Sequence, residues 1–368
     1  MGQRAGPLVR PGGEVSVSVS LKDVAERAGV SIKTVSNVVN NYPHVTPAMR
    51  SRVQRAIDEL GYRPNLTARH LRKGRTGILA LAVPELGNPY FAELAGAVID
   101  AAAEHDYTVL LDHTGGRRAQ EVLVSQGFRA QVIDGLILSP IELEREDLLA
   151  RDHDAPLVLL GEREYDLPYD HIAIDNVAAA RTAVRHLLGL GRSRIVFLGA
   201  RTDRVNQPSQ LRLRGWRAEL TAAGLTAPDS LVAATGGWEH ADGASAMAAV
   251  LDAGERPDAV FAYNDPIAIG AMRVLSERGL RVPEDVAVVG FDDISEGRYG
   301  AVTLTTISPD KHTIARLAVR CVVERLRGEP GPAGTDGITG PGGARELRAD
   351  FRLVERESTI GGRARTAG

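Results

Sequence analysis

Between Leu21 and Leu60 the apolar positions recur at helical spacing three times over. Leu21, Val24, Ala25 and Ala28 fall on one face of a first helix, and Val35, Val38 and Val39 on one face of a second. Met49, Val53, Ile57 and Leu60 line a third. Gly29 suits the left-handed backbone that ends a helix, Ser31 is placed to cap the second helix, and Thr46–Pro47 to start the third. From Gly77 onward the pattern changes. Short continuous apolar runs (ILALAVP, TVLLD, VIDGLILSP, PLVLLGE, RIVFLGA, DAVFAYND and VAVVGFDD) alternate with Ala-rich helical stretches. Runs of this length suit parallel strands covered on both faces, and the alternation predicts a doubly wound sheet. Two sets of strands separate near Asp175–Asn176, which predicts two similar subdomains with a cleft between them. Ligand groups in such sheets sit at strand C-termini, and two runs end at Asn264–Asp265 and Asp292–Asp293.

The second helix also has a polar side. Lys33, Ser36, Asn37 and Asn40 fall at i, i+3, i+4 and i+7. A helix–turn–helix pair needs this division, one side packing and the other meeting the major groove. Spacing alone equally describes a small helical domain with a solvated face. Charge favours the first reading. Residues 1–75 hold 13 Lys/Arg against 5 Asp/Glu, a net of +8, whereas the rest of the chain nets −11. A basic end on an acidic body suits polyanion binding by the end alone, and Arg50, Arg52 and Arg55 supply part of that charge.

The 368 residues leave room for two or three domains, and no apolar run approaches the roughly 18 residues that span a membrane. The first 19 residues, rich in Gly, Pro and Ser/Val alternation, read as a disordered tail without the apolar core of a secretory signal, which argues against export. Gly328 to Ala344 reads as an exposed loop. The single cysteine, Cys321, excludes an intrachain disulfide, fits a reducing compartment, and lies in the helix-like IARLAVRCVVERL as a buried structural thiol. Enzyme signatures are missing: no Gly-rich phosphate loop, no G-x-S-x-G and no H-E-x-x-H. The nine histidines form no ligand cluster, so neither metal nor cofactor is expected. Asp292–Asp293 resembles a catalytic pair, but neighbours at a strand end point to opposite faces, so only one is expected in the cleft. The chain is expected not to be an enzyme.

The stretches LKDVAERAGVSIKTVSNVVN, VTPAMRSRVQRAIDELGYRPN and ARHLRKGRTG together resemble the lactose-repressor (LacI/GalR) family of bacterial transcription regulators. The resemblance runs in register from about Leu21 to LVERESTI, Leu353 to Ile360, and so covers nearly the whole chain. It implies an N-terminal all-α helix–turn–helix module on an α/β body like the periplasmic binding proteins, with two doubly wound parallel-sheet subdomains. The expected divisions are a tail at 1–19, a DNA-binding domain at 20–63, a hinge helix and linker at 64–76, and a ligand-binding and dimerisation domain at 77–368. Within that body the subdomains are expected at about 77–175 and 176–304, with the C-terminal strands crossing back.

The resemblance also implies residue roles. Ile32 and Lys33 occupy the two positions that discriminate operators in the family, and Asn37 a third. Many members carry arginine or another large residue at that third place; Asn37 is shorter, and its amide matches an adenine edge. Ser31, Thr34, Ser36 and Asn40 are implied as phosphate or supporting contacts, and Tyr62 and Asn65 as backbone anchors. Pro64 to Arg72 corresponds to the hinge, too short to be a stable helix alone and expected to fold when two copies meet on DNA. Leu71 matches a leucine that enters the minor groove, with Ala68 as the small residue beside it. Leu71→Ala is therefore expected to weaken operator binding far more than binding to non-specific DNA, and competition titrations on both DNAs check this; equal losses would sink the wedge role.

In the body, the resemblance places Tyr90 and Phe91 of NPYF at the cleft mouth, covering a ring or packing at a helix start. It places Arg212 where an arginine grips the effector, a role suited to its planar fork. Trp238 aligns with an aromatic that stacks on sugars or bases, with core burial as the other reading. Asn264 and Asp292 match polar groups that meet hydroxyls, and Glu162 and Arg163 fall near the cleft or form a closure ion pair. The protein is thus expected to be a cytoplasmic, homodimeric repressor on palindromic double-stranded operator DNA, without membrane contact. Its affinity would be set by a small-molecule effector, a carbohydrate. Little chain follows Ile360, so the extra helix that makes some members tetramers is not expected. A nucleoside or protein coregulator in place of the sugar, or a non-exported sugar-binding protein, are the alternatives.

Overall fold

In the computed structural model, Ser20 starts the first helix, α1 (Leu21–Ala28), with a capping box: its hydroxyl accepts from the Asp23 N–H while the Asp23 carboxylate accepts from the Ser20 N–H. Gly29, at φ 63°, ends α1 in the left-handed conformation, and Ser31 caps α2 (Ile32–Val39) by accepting from the Thr34 N–H at 3.1 Å. Thr46 caps α3 (Pro47–Leu60), with Pro47 in the first turn. Val24, Ala25, Ala28, Val35, Val38, Val53 and Ala56 form the buried centre of this small bundle. Met49, expected to face inward, lies outside that cluster with its sulfur accepting from Arg52; Ala56, two turns on, packs instead.

The structure describes residues 19–39, 42–62, 74–127, 131–161, 167–201, 208–328 and 343–361. They belong to two units, residues 1–74 and 75–368. The expected linker ended at 76, but Arg75 and Thr76 are pinned to the body. The Asp134 carboxylate accepts from the Thr76 N–H at 2.8 Å, its hydroxyl at 3.0 Å and the Gly77 N–H at 2.8 Å, while Arg75 donates to the Leu326 carbonyl.

The second unit has two six-stranded sheets. The first contains β1 (Ile78–Val83), β2 (Thr108–His113), β3 (Gly135–Leu138), β4 (Leu157–Leu160) and β5 (Asp170–Ala173). Late in the chain β11 (Glu346–Arg348) joins it, giving the order β11-β5-β4-β3-β1-β2, all parallel. The second contains β6 (Ile195–Ala200), β7 (Val232–Ala234), β8 (Ala259–Ala262), β9 (Ala287–Phe291), β10 (Thr305–Pro309) and β12 (Phe351–Val354). Its order is β12-β10-β9-β8-β6-β7, parallel except for the β10/β12 pair. β10 carries the second half to Pro309, beyond the expected 304.

Helices between the strands are α4 (Pro89–Ala103), α5 (Arg118–Ser125), α6 (Arg145–Leu149), α7 (Asn176–Gly189), α8 (Pro208–Ala222), α9 (His240–Asp252), α10 (Asp265–Glu277), α11 (Lys311–Arg327) and α12 (Glu357–Ile360). The chain passes between halves three times: from β5 to α7, from β10 to α11, and from β11 to β12. The second passage moves a whole helix as well as strands, because α11 packs on α4, β3, β4 and β5 of the first half. Most central strands are buried along their whole length, but β2, at an edge, alternates between exposed and half-buried. Gly215 shows how closely α7 and α8 pack, since a Cβ there would lie 2.5 Å from the Val177 carbonyl oxygen. Among the described residues no helix is long and apolar enough to cross a membrane.

Cys321 lies on the inner face of α11 with no exposed surface, and burial pushes its thiol up to about 12. A thiol reagent such as Ellman's reagent should therefore leave native protein unmodified at pH 8 and titrate one thiol after denaturation in urea. Rapid native labelling would contradict the packing.

Candidate functional site

The outer side of α2 presents Ile32, 49% exposed, and the exposed Lys33, with Thr34, Ser36 and Asn37 half-buried beside them. Val35 and Val38 on the opposite side are buried, so the predicted division of the helix is present. Ser31 and Thr34 are already engaged with one another, their hydroxyl oxygens 2.9 Å apart. Tyr62 rests partly buried against the bundle core. Asn40, Asn65, Ala68 and Leu71 lie outside the described residues. Arg50, one of the residues that supply the basic charge, also donates from its guanidinium to the carbonyls of Val38 and Tyr42, at 3.5 and 3.0 Å. It thereby satisfies acceptors at the C-terminal end of α2 and fixes that helix against α3.

The second unit contains a cleft of about 390 Å³ between its sheets, lined from both halves. Of the six residues proposed for it, Tyr90, Phe91, Arg212, Trp238, Asn264 and Asp292 all line it. Asn88 caps α4 by accepting from the Tyr90 N–H at 3.0 Å, which brings Tyr90 and Phe91 to the wall on the first turn. The two readings for these rings are thus compatible: they start a helix and also face the cleft. Glu162 and Arg163 lie outside the described residues.

Arg212, on α8, is 5% exposed. Its Nε donates to Asn176 Oδ1 at 2.7 Å and its Nη1 to the Tyr263 carbonyl. Its guanidinium lies 3.4 Å from the Phe291 ring centroid and 4.6 Å from that of Tyr263. Nη2 donates to no described residue. Asn176 is the first residue of α7, so Arg212 joins the cleft to the first passage between halves.

Trp238 is half-buried rather than core. Its ring lies 4.7 Å from that of Tyr263 at 33°, and the Arg201 guanidinium sits 4.9 Å above it. Tyr263 and Arg201 were missed in the sequence, although Tyr263 directly precedes the Asn264–Asp265 signal. Asn264 lines the cleft and is also a structural residue. It caps α10, accepting from the Ile267 N–H at 3.0 Å, and its Nδ2 donates to the Trp238 carbonyl at 3.0 Å. Asn-Asp-Pro is a readable helix start. Through this bond Asn264 fixes the backbone of the aromatic wall.

Asp292 and Asp293 do separate, but not by strand pleating. β9 ends at Phe291, and the two residues stand at φ 107° and 50°. Asp292 lines the cleft, while Asp293 is held by Arg356 at 2.5 Å, Ser308 at 2.9 Å and Arg298 at 3.1 Å. Burial alone would raise the Asp293 carboxyl, yet these partners, Arg356 foremost, hold it below the ordinary range. Another wall segment rests on the buried Glu121 of α5, whose carboxylate accepts from the N–H groups of Ile141, Glu142 and Leu143 at 2.8, 2.8 and 3.0 Å. Nothing in the local sequence identifies that role.

Residues 20–65 match the family of bacterial regulatory proteins described as lacI family, and residues 184–359 match the periplasmic binding protein-like domain. The chain is 32% identical to the ribose operon repressor of Escherichia coli (strain K12), over 83% of this chain and 93% of that one. A solved complex of the transcriptional regulator CelR with cellobiose is 32% identical, with a TM-score of 0.65 over 92% of this chain and 99% of that one. The lac repressor dimer bound to operator and the anti-inducer ONPF is 28% identical, with a TM-score of 0.71 over 93% and 99% of the two chains.

Proposed function

Because this chain belongs to the lacI family of bacterial regulatory proteins, we propose that it is a transcriptional repressor whose grip on operator DNA is set by a sugar in the cleft. In this reading it acts as a cytoplasmic homodimer on a palindromic site, one helix–turn–helix module per half-site. Ile32, Lys33 and Asn37 read base edges. Ser31, Thr34, Ser36, Asn40, Tyr62 and Asn65 position the module, and Ala68 and Leu71 serve the minor groove.

The observation that carries the sugar reading is the cleft's wall. Trp238 packs on Tyr263 beside Arg212 and Asp292, giving an apolar platform with a donor fork and a carboxylate at its edge. Pyranose rings present apolar C–H faces and hydroxyl edges, which match those groups. Two relatives are named for sugars or solved with one. Asn264 contributes by holding Trp238 rather than by meeting hydroxyls. An effector that closes the cleft shifts the three passages between halves, and so acts on the hinge expected at Pro64 to Arg72. Coupling then runs equally in both directions.

A thermal-shift screen of neutral mono- and disaccharides alongside nucleosides tests this on the full chain. A stabilising sugar is expected, with a rise in melting temperature that grows with ligand concentration. A response to nucleosides alone would replace the sugar reading with the purine or pyrimidine one.

A further inference from the structure

Asp292 lines the cleft on backbone that L residues rarely adopt, and Asp293 follows it in the left-handed region. The Asp292 N–H donates to the Ile307 carbonyl at 2.8 Å, and both carbonyls of the turn are gripped by one ammonium. Lys311 Nζ donates to the Asp292 carbonyl at 2.7 Å and to the Asp293 carbonyl at 3.1 Å. Lys311 is the first residue of α11, which packs on the first half, whereas the turn it holds belongs to the second. A carboxylate from the first half completes the arrangement. Glu93, on α4 one turn after Tyr90, accepts from Lys311 Nζ through Oε2 at 2.5 Å and from the Ser295 N–H through Oε1 at 3.0 Å. Both side chains are shielded, Lys311 being 12% and Glu93 33% exposed, so bulk water screens the pair only in part.

We propose that Glu93 and Lys311 form a latch across the two halves, which sets the balance between open and closed cleft and ties it to the backbone of Asp292. Rotating the halves apart breaks the bond from Ser295 to Glu93, because its two ends lie on different halves. A ligand hydroxyl that draws on the Asp292 side chain acts on the same turn that Lys311 grips. The ion pair is therefore a positioning element for the effector site rather than a contact to the effector. This link to regulation rests on the effector reading above; the latch itself does not.

The test uses the full-length protein without ligand. Hydrogen exchange is followed in the segment around Ser295, and acrylamide quenching is followed on tryptophan fluorescence. Only two tryptophans are present and Trp216 is fully buried, so quenching reports on Trp238 in the cleft. Glu93→Ala and Lys311→Met should each speed exchange at Ser295 on the order of tenfold and raise quenching. The double variant should be no faster than the faster single one, since both remove one shared device. Lys311→Arg should stay closer to wild type than Lys311→Met. Wild-type exchange in Glu93→Ala, or effects that multiply in the double variant, would overturn the latch. If Lys311→Met does not fold, Glu93→Ala and Lys311→Arg decide the matter. Failure here leaves the sugar reading standing, and an intact latch in a chain that no sugar stabilises removes only the sugar reading.

Discussion

Arg212→Ala should weaken the effector response at least tenfold while leaving operator binding by the N-terminal unit in place. The side chain is buried at the cleft wall, with Nε on Asn176, Nη1 on the Tyr263 carbonyl and the guanidinium plane against Phe291. Its Nη2 donates to no described residue and, in the proposed reading, meets the sugar. Truncation removes a charged donor and also unties the cleft from Asn176 at the first passage between halves. A charged hydrogen bond of this kind contributes about 1.5–3 kcal/mol, so affinity for the stabilising sugar should fall roughly tenfold to a hundredfold or more. Isothermal titration of wild type, Arg212→Ala and Arg212→Lys checks this. Lysine keeps the charge but not the planar fork, so it should recover only part of the loss. Wild-type affinity in the alanine variant would remove Arg212 from the site.

The largest expected stability effect lies elsewhere, at Asp170. Its carboxylate has no exposed surface and receives both Arg325, at 2.8 and 3.1 Å, and Arg345, at 2.7 and 3.2 Å. Arg345 is itself buried and pairs further with Glu324. This cluster holds β5 against α11, at the seam where the chain returns to the first half. Asp170→Asn leaves a buried guanidinium short of a counter-charge, which typically costs about 3–5 kcal/mol. Urea unfolding of the full chain should show a transition of the body shifted by that order, and a shift below about 1 kcal/mol would contradict the assignment.

The same residue gives a pH dependence. Burial pushes the Asp170 carboxyl up, but the hydrogen bonds from Arg325 and Arg345 outweigh it and hold the carboxyl below its ordinary value. A depressed carboxylate contributes stability that is present above the unfolded value, about 3.9, and lost as pH falls through the lower folded value. Acid unfolding should therefore set in below about pH 4 in wild type, and Asp170→Asn should flatten that limb.

Several parts of this molecule were legible in the sequence because their signals are local. The three short helices follow from apolar spacing and from Gly29, Ser31, Thr46 and Pro47, each acting within four residues of itself. The seven apolar runs each became strand: six are largely buried parallel strands, which need no alternation, and β2 lies at an edge. Short strands with polar residues, such as β5 and β10, gave no such run and went unseen. Site residues divided the same way. Arg212, Trp238 and Asp292 were found by family register, and they do line one cleft. Their supports were not found: Asn176, Tyr263, Glu121 and Lys311 act through partners 18 to 51 residues away or more. Asn264 was found as a cleft residue, while the helix-capping role that its own tripeptide announces went unread. Arg50 was read only as a source of charge, and it also donates to the carbonyls of Val38 and Tyr42.

The most direct measurement of the central claim is a fluorescence-anisotropy titration of the full chain on a palindromic site selected from random DNA, with and without the sugar that stabilises the body. The account predicts tight, salt-dependent binding to that site, much weaker binding to scrambled DNA, and an operator affinity that shifts by about fivefold or more when the sugar is present. A sugar that stabilises the protein and leaves operator affinity unchanged would contradict it.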